Sequence, residues 1–315
     1  MIKIALCFYG DSPEVARQKF SLQTPNESSQ WGDLIAVTEK DNPSFYICFQ
    51  QDNIYTEHLP LSKKIYLQRE PDAVVPLEIY KKGKNLLSHR HTQEEFFNFQ
   101  MWWIDASYDD LLLMDFPEKT KNVSTILSYK RDTKGQKLRT DFVLSYMKEY
   151  PDTIEIHGNF TNVYRNLKYA RATRLTEKAF SVYNRLIGRK KYAFVDRLKI
   201  MNSCKYSLVM ENAQEKNFFT EKLIDAYLGW SMPIYWGCPN IKDFFPADSY
   251  HNIDIEDPDS IHRLYELSKK PLTQKNIEAL KEARELVLNK YNLWPALEKF
   301  IKEKGLNEKK DNLFS

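Results

Sequence analysis

The sequence predicts an α/β protein in two halves. Three observations carry that prediction. Short apolar runs alternate with helix-period patterns along most of the chain. The length of 315 residues suits two domains of ordinary size. The stretch Phe116-Pro117-Glu118-Lys119-Thr120-Lys121-Asn122 is polar, carries a proline, and separates an early group of strand candidates from a later one. The expected divisions are residues 1–120, 121–290 and a C-terminal segment 291–315.

In the first half the strand candidates are Ile2 to Phe8, Leu34 to Val37, Phe45 to Phe49 and Ile65 to Leu67. The aromatic residues Phe96, Phe97, Phe99, Trp102 and Trp103 follow at helical spacing and read mainly as core, an exposed Trp stacking on a ligand being the lesser alternative. In the second half the strand candidates are Thr125 to Tyr129, Thr153 to Ile156, Tyr206 to Met210 and Pro233 to Trp236. Helix patterns cover Leu138 to Tyr150, Glu221 to Gly229 and Ser260 to Lys269. A long amphipathic stretch then runs from Gln274 toward Lys304, interrupted near Pro295 and expected to pack back on the first half. The last residues, Glu308 to Ser315, are polar and expected to fray.

Composition narrows the function classes. Hydrophobic residues make up 42% and charged residues 28%, an ordinary globular balance, with aromatic content high at 14%. No apolar run approaches the roughly 20 residues that span a bilayer, and Met1 to Phe8 has neither the length nor the flanks of a signal peptide. With four isolated cysteines, Cys7, Cys48, Cys204 and Cys238, the expectation is a soluble, reduced, cytoplasmic chain. The net charge of +3 argues neither for a nucleic-acid binder nor for an acidic surface, and no nucleic-acid partner is expected, but charge is concentrated locally. Between Thr161 and Lys205 there are 12 Lys or Arg against only Glu177 and Asp196. That stretch reads as a solvated helical face or as a site for peripheral membrane contact or another anionic partner. There is no G-x-G-x-x-G, P-loop, H-E-x-x-H or G-x-S-x-G, so nucleotide-dependent dehydrogenases, P-loop ATPases, zinc proteases and α/β hydrolases lack support. Asp109-Asp110 fails the spacing of a D-x-D metal motif and reads as a turn, so no obligate metal is expected and a divalent ion is at most stimulatory. His157 reads as an ordinary loop histidine, with a place in a ligand cleft as the alternative.

The chemically informative segment begins at Lys205-Tyr206-Ser207-Leu208-Val209-Met210-Glu211-Asn212-Ala213. It continues through Phe218-Phe219-Thr220-Glu221-Lys222 to Pro233-Ile234-Tyr235-Trp236-Gly237, in the order strand, loop, helix, strand. Thr220 is a candidate N-cap, which places Glu221 and Lys222 in the first helical turn. A cation there opposes the helix dipole by about 0.3–1 kcal/mol. A bound diphosphate reverses that penalty, because the free N–H groups and Lys222 both favour it. A solvated lysine beside a cap is the competing reading.

These segments resemble the α1,3/4-fucosyltransferases of glycosyltransferase family 10, whose donor-site pattern is approximately F-E-N-S, T-E-K and P-I-Y-W-G. The sequence departs from it at Met210, Ala213 and Phe218, which bears on the identity of the sugar or nucleotide. Upstream, Ile126 to Lys130, Gly135 to Arg139 and Phe142 are similar to the family's strand followed by an arginine that opens a helix. Ile65 to Pro71 is similar to its strand ending in a glutamate. The resemblance implies a GT-B-like fold of two Rossmann-like domains facing across a cleft, with acceptor binding in the first half and donor binding in the second. It implies inverting transfer of L-fucose from GDP-fucose to an acceptor glycan hydroxyl. Glu70 is then the general base, and Arg139, Glu211, Asn212, Phe218, Thr220, Glu221 and Lys222 bind or orient the donor. A transferase using another nucleotide sugar and a polyanion-binding protein on the same fold are the alternatives.

Overall fold

The computed structural model describes residues 1–71, 74, 85–87, 102–128, 130–158 and 196–306. In chain order the first half comprises β1 (Ile2–Cys7), α1 (Pro13–Ser21), β2 (Gln30–Trp31), β3 (Leu34–Ala36), β4 (Phe45–Phe49), β5 (Lys64–Leu67) and β6 (Leu86–Leu87). Then come α2 (Tyr108–Leu113), β7 (Lys121–Ile126), α3 (Lys134–Glu149), β8 (Glu155–His157), α4 (Arg197–Ser203), β9 (Cys204–Met210), α5 (Glu221–Leu228), β10 (Met232–Trp236) and β11 (His251–Asn252). Three helices close the described chain: α6 (Ser260–Lys269), α7 (Gln274–Asn289) and α8 (Leu293–Glu303).

Two sheets result, in the orders β2-β3-β1-β4-β5-β6 and β11-β10-β9-β7-β8. All pairings are parallel except β2 with β3. In each sheet the first parallel strand lies between the second and the third. The winding therefore reverses at β1/β4 and at β7/β9, the places where open α/β sheets offer a crevice at their carboxyl ends. Buried parallel strands read as continuous apolar runs. Met232 to Trp236 is buried at every position.

Sequence-based boundaries shift where polar residues begin a strand. The strand expected at Thr125 to Tyr129 is Lys121–Ile126, because exposed Lys121 already pairs with Cys204 of β9; Tyr129 lies outside the described residues. The polar break therefore ends inside a strand. Asp109-Asp110, read as a turn, opens α2: Asp110 completes a capping box with Ser107, and Asp109 accepts from the Asn26 amide at 2.6 Å.

The C-terminal stretch breaks at Asn292 rather than at Pro295. The Asn292 amide donates to the Val287 carbonyl at 3.2 Å, closing α7, and its Oδ1 accepts from Trp294 N at 3.0 Å, opening α8. Pro295 sits in the first turn of α8, where no intrahelical N–H is lost. The apolar face of α8, including Leu293, Trp294, Leu297, Phe300 and Ile301, belongs to the core of the first sheet. Trp294 donates through Nε1 to the Phe20 carbonyl at 3.2 Å, and Glu298 accepts from Asp33 N at 3.0 Å. The last helix thus straps the second half to the first.

Truncating Trp294, which has no exposure, removes the largest side chain of that strap. Trp294→Ala is expected to lower the free energy of unfolding by about 3–5 kcal/mol, read from the midpoint of urea denaturation.

Candidate active site

The carboxyl ends of β5, β7 and β9 meet at a cavity of about 600 Å³. Five cationic side chains line it, Arg69, Lys130, Arg139, Arg197 and Lys222, against three carboxylates, Glu70, Glu221 and Asp225. An excess of cations in a partly enclosed crevice favours an anionic ligand.

The wall contributed by the second half is organised by Glu211, the residue after β9. Its carboxylate has no exposure and accepts from Thr220 N at 2.8 Å and Thr220 Oγ1 at 2.7 Å, with Lys222 Nζ 3.5 Å away. Burial pushes the Glu211 carboxyl above the usual carboxylate range, and Lys222 pulls it back. The loop from Glu211 to Thr220 is therefore closed on itself, and it sets where α5 begins. Thr220 caps that helix by accepting from Lys222 N at 3.4 Å.

Lys222 is not a solvated lysine. Only 23% of its side chain is exposed, and Nζ donates to Thr220 Oγ1 at 3.0 Å and to Glu221 Oε1 at 3.4 Å. Those carboxylates raise its affinity for the proton against the effect of burial. Glu221 is desolvated, yet Lys222, Arg69 and Arg197 hold its carboxyl down to about 2.

Arg139 approaches from α3. It is 2% exposed, and its Nη1 and Nη2 donate to the Met210 carbonyl and Ser128 Oγ, each at 3.4 Å. Its Nε has no partner among the described residues, nor does Oδ1 of Asn212. Both residues line the cavity. Two glycines permit this close assembly. A Cβ at Gly135, in the first turn of α3, would lie 2.1 Å from the Asn212 carbonyl oxygen. One at Gly237 would lie 2.5 Å from both Glu211 Cγ and Tyr235 Oη.

The first half contributes Glu70 and Arg69. Glu70 Oε2 accepts from Asn212 Nδ2 at 3.4 Å, across the two halves. Arg69 donates to Tyr9 Oη at 3.3 Å, and its guanidinium carbon is 5.7 Å from the ring centres of both Phe8 and Trp103.

Of the residues assigned from the sequence, Glu70, Arg139, Asn212, Thr220, Glu221 and Lys222 line one cavity. Glu211 lies behind it, where its carboxylate holds Thr220 and faces Lys222. Phe218 is not brought to the cavity lining: its ring is 2% exposed, since an apolar side chain gains by leaving water. His157 ends β8, with Nε2 3.4 Å from Glu155 Oε2, and it does not line the cavity. Phe96, Phe97, Phe99 and residues 161–195 of the basic stretch lie outside the described residues, whereas Trp103 lines the cavity. Among the described residues no cluster of His, Cys, Asp and Glu is set to hold a metal, and no helix is long and apolar enough to cross a membrane.

Sequence reasoning missed Arg69, Lys130, Arg197 and Asp225. Asp225 had a usable signal, because it follows Glu221 by four residues and so shares its face of α5.

The family model "Glycosyltransferase family 10 (fucosyltransferase) C-term" matches residues 116–278. The chain belongs to glycosyltransferase family 10. It is 36% identical over 62 residues to the alpha-(1,3)-fucosyltransferase FucT of Helicobacter pylori, a match covering 20% of this chain and 13% of that protein. It is 31% identical over 100 residues to the human 4-galactosyl-N-acetylglucosaminide 3-alpha-L-fucosyltransferase 9, covering 30% and 27% respectively. The chain thus matches less than a third of the length of either relative. A crystal structure of an alpha1,3-fucosyltransferase with GDP aligns over 99% of this chain and 93% of that one, with 15% identity and a TM-score of 0.49.

The Glu221 carboxyl is depressed from its ordinary 4.5 to about 2 in the folded state. Its stabilising contribution is therefore complete above pH 4.5 and is lost as pH falls toward 2. Glu221→Gln is expected to lower the melting temperature at pH 6 and to reduce its fall between pH 4.5 and 2, measured by thermal melts across that range.

Proposed function

We propose that this chain transfers L-fucose from GDP-fucose to a hydroxyl of an acceptor glycan, with inversion at the anomeric carbon. The observation that carries this reading is the placement of Arg139 and Lys222 on separate helices beside one cavity, with Glu70 entering it from the other half. As the anomeric C–O bond breaks, its electron pair leaves with the β-phosphate, and the diphosphate gains negative charge. The planar guanidinium of Arg139, with Nε unpaired, and the point charge of Lys222 at the start of α5 answer that charge. The acceptor oxygen attacks the same carbon from the opposite face, and its proton passes to the Glu70 carboxylate. Glu221, kept ionised, accepts from donor hydroxyls.

Family membership supports the donor assignment, as do the T-E-K and P-I-Y-W-G segments at Thr220–Lys222 and Pro233–Gly237. Titration calorimetry is expected to show GDP binding more tightly than UDP. Equal or tighter UDP binding would overturn the guanine assignment and favour a transferase using another nucleotide sugar.

Lys222→Ala and Arg139→Ala are each expected to weaken GDP binding by about 1.5–3 kcal/mol, the usual worth of a hydrogen bond to a charged group. Wild-type affinity in both folded variants would remove the diphosphate from this position. Glu70→Gln keeps shape and hydrogen bonding but accepts no proton. Transfer is expected to fall roughly 10²–10⁴-fold with GDP affinity unchanged, measured by initial rates with labelled GDP-fucose on a glycan panel.

A further inference from the structure

The transfer mechanism leaves the buried carboxylate of Asp225 unused. Asp225 has no exposure and no direct part in holding the diphosphate, yet it makes two directional contacts. Its Oδ1 accepts from the backbone N–H of Trp103 at 3.0 Å, and its Oδ2 accepts from Arg197 Nη1 at 2.7 Å. The three residues come from three separate elements. Trp103 precedes α2 and stands against Arg69 of the acceptor wall, Arg197 opens α4, and Asp225 lies one turn beyond Glu221 on α5. All three line the cavity.

A buried carboxylate is costly unless its charge and lone pairs are matched. Here the matching partners are a cation that is itself 29% exposed at the cavity and an amide from the segment joining the two halves. A core carboxylate serving stability alone needs neither partner to face a ligand space. An Arg tied on one side by a short ion pair loses little further freedom on meeting a ligand, and its remaining N–H groups stay available.

We infer that Asp225 is a positioning residue that fixes Arg197 as a further substrate-facing cation and holds Trp103 at the junction of donor and acceptor walls. The inference rests on the transferase reading and assigns residues to that site which the donor motif does not contain. Asp225 acts through Arg197 and Trp103 and touches no substrate. Arg197 faces the transferring group beside Glu221, whereas Arg139 and Lys222 face the diphosphate. Loss of the Asp225–Arg197 pair therefore affects turnover more than nucleotide affinity.

Protonation supplies an independent readout. The groups facing Asp225 are Arg197 from α4, Glu221 on its own helix and the Trp103 amide. Burial raises the Asp225 carboxyl to about 6, with Arg197 opposing. The pair is thus intact above that pH and is lost as pH falls through it.

The test measures GDP affinity by calorimetry and the acceptor-independent hydrolysis of GDP-fucose for wild type, Asp225→Asn, Arg197→Ala and the double variant. Each single substitution is expected to slow hydrolysis about 10-fold or more with GDP affinity within a few-fold of wild type. The double variant is expected to be no slower than the singles, since the two residues act as a unit. The decline of wild-type activity through pH 6 is expected to disappear in Asp225→Asn. Multiplicative losses in the double variant, an unchanged pH profile, or activity that merely follows the folded fraction would overturn the inference. Should Asp225→Asn fail to fold, Arg197→Ala and Arg197→Lys carry the test: partial recovery by Lys supports a substrate-facing charge, and wild-type turnover in both overturns it. Failure of the wild type to bind GDP would instead remove the transferase reading, and this inference with it.

Discussion

The site depends on burying the Glu211 carboxylate where water cannot reach it. A carboxylate in that position must have donors, and the chain supplies them from nine residues onward: the amide and hydroxyl of Thr220, then the ammonium of Lys222. Once those bonds form, the start of α5 has one allowed place relative to the end of β9. The first turn of that helix then presents Glu221 and Lys222 to the cavity. Gly237 leaves room for the Glu211 side chain, and Gly135 lets the first turn of α3 press against the Asn212 backbone. Arg139 reaches the same edge because of that contact.

The two halves are held in register by α8, distant from this network, and the second half is braced by buried cations. The α8 helix completes the core of the first sheet after the chain has finished the second. Buried Arg284 on α7 donates to the carbonyls of Leu228 and Leu111, joining α5 to α2. Lys119 donates to the carbonyls of Met201, Asn202 and Gly229, so the ends of α4 and α5 share one cation. Burial pushes that ammonium down to about 7, which makes its three acceptors the condition for keeping it in place. A cavity between two such braced sheets holds Glu70 opposite Asn212 without any continuous element joining them.

What was legible in the sequence follows from how local each feature is. Glu211, Thr220, Glu221 and Lys222 lie within one strand-loop-helix unit, and their spacing carries the geometry that a cap and a sheet edge impose. The strand at Phe45–Phe49 and the helix at Ser260–Lys269 appear with the boundaries expected, because turn residues flank clear apolar patterns. Phe218 lies in the same unit but is buried, since a motif position does not say whether a side chain faces the ligand space or the interior. The burial of Arg139 was equally hidden. On a helical wheel it is one polar residue among others, and only the approach of β9 and Ser128 encloses it.

By itself the sequence determined the α/β class, the two groups of strands, the family, and a set of cavity-lining residues whose spacing is set within one supersecondary unit. Tertiary structure decided that Glu211 is buried against Thr220 behind the cavity, that Lys222 is paired rather than solvated, and that Arg69, Trp103, Arg197 and Asp225 share the cavity. The physical reason is range. Helix and strand periods and caps act over a few residues, whereas the Asp225–Trp103 contact spans 122 residues and the Asn212–Glu70 contact 142, and these exist only after both sheets have folded and α8 has drawn them together.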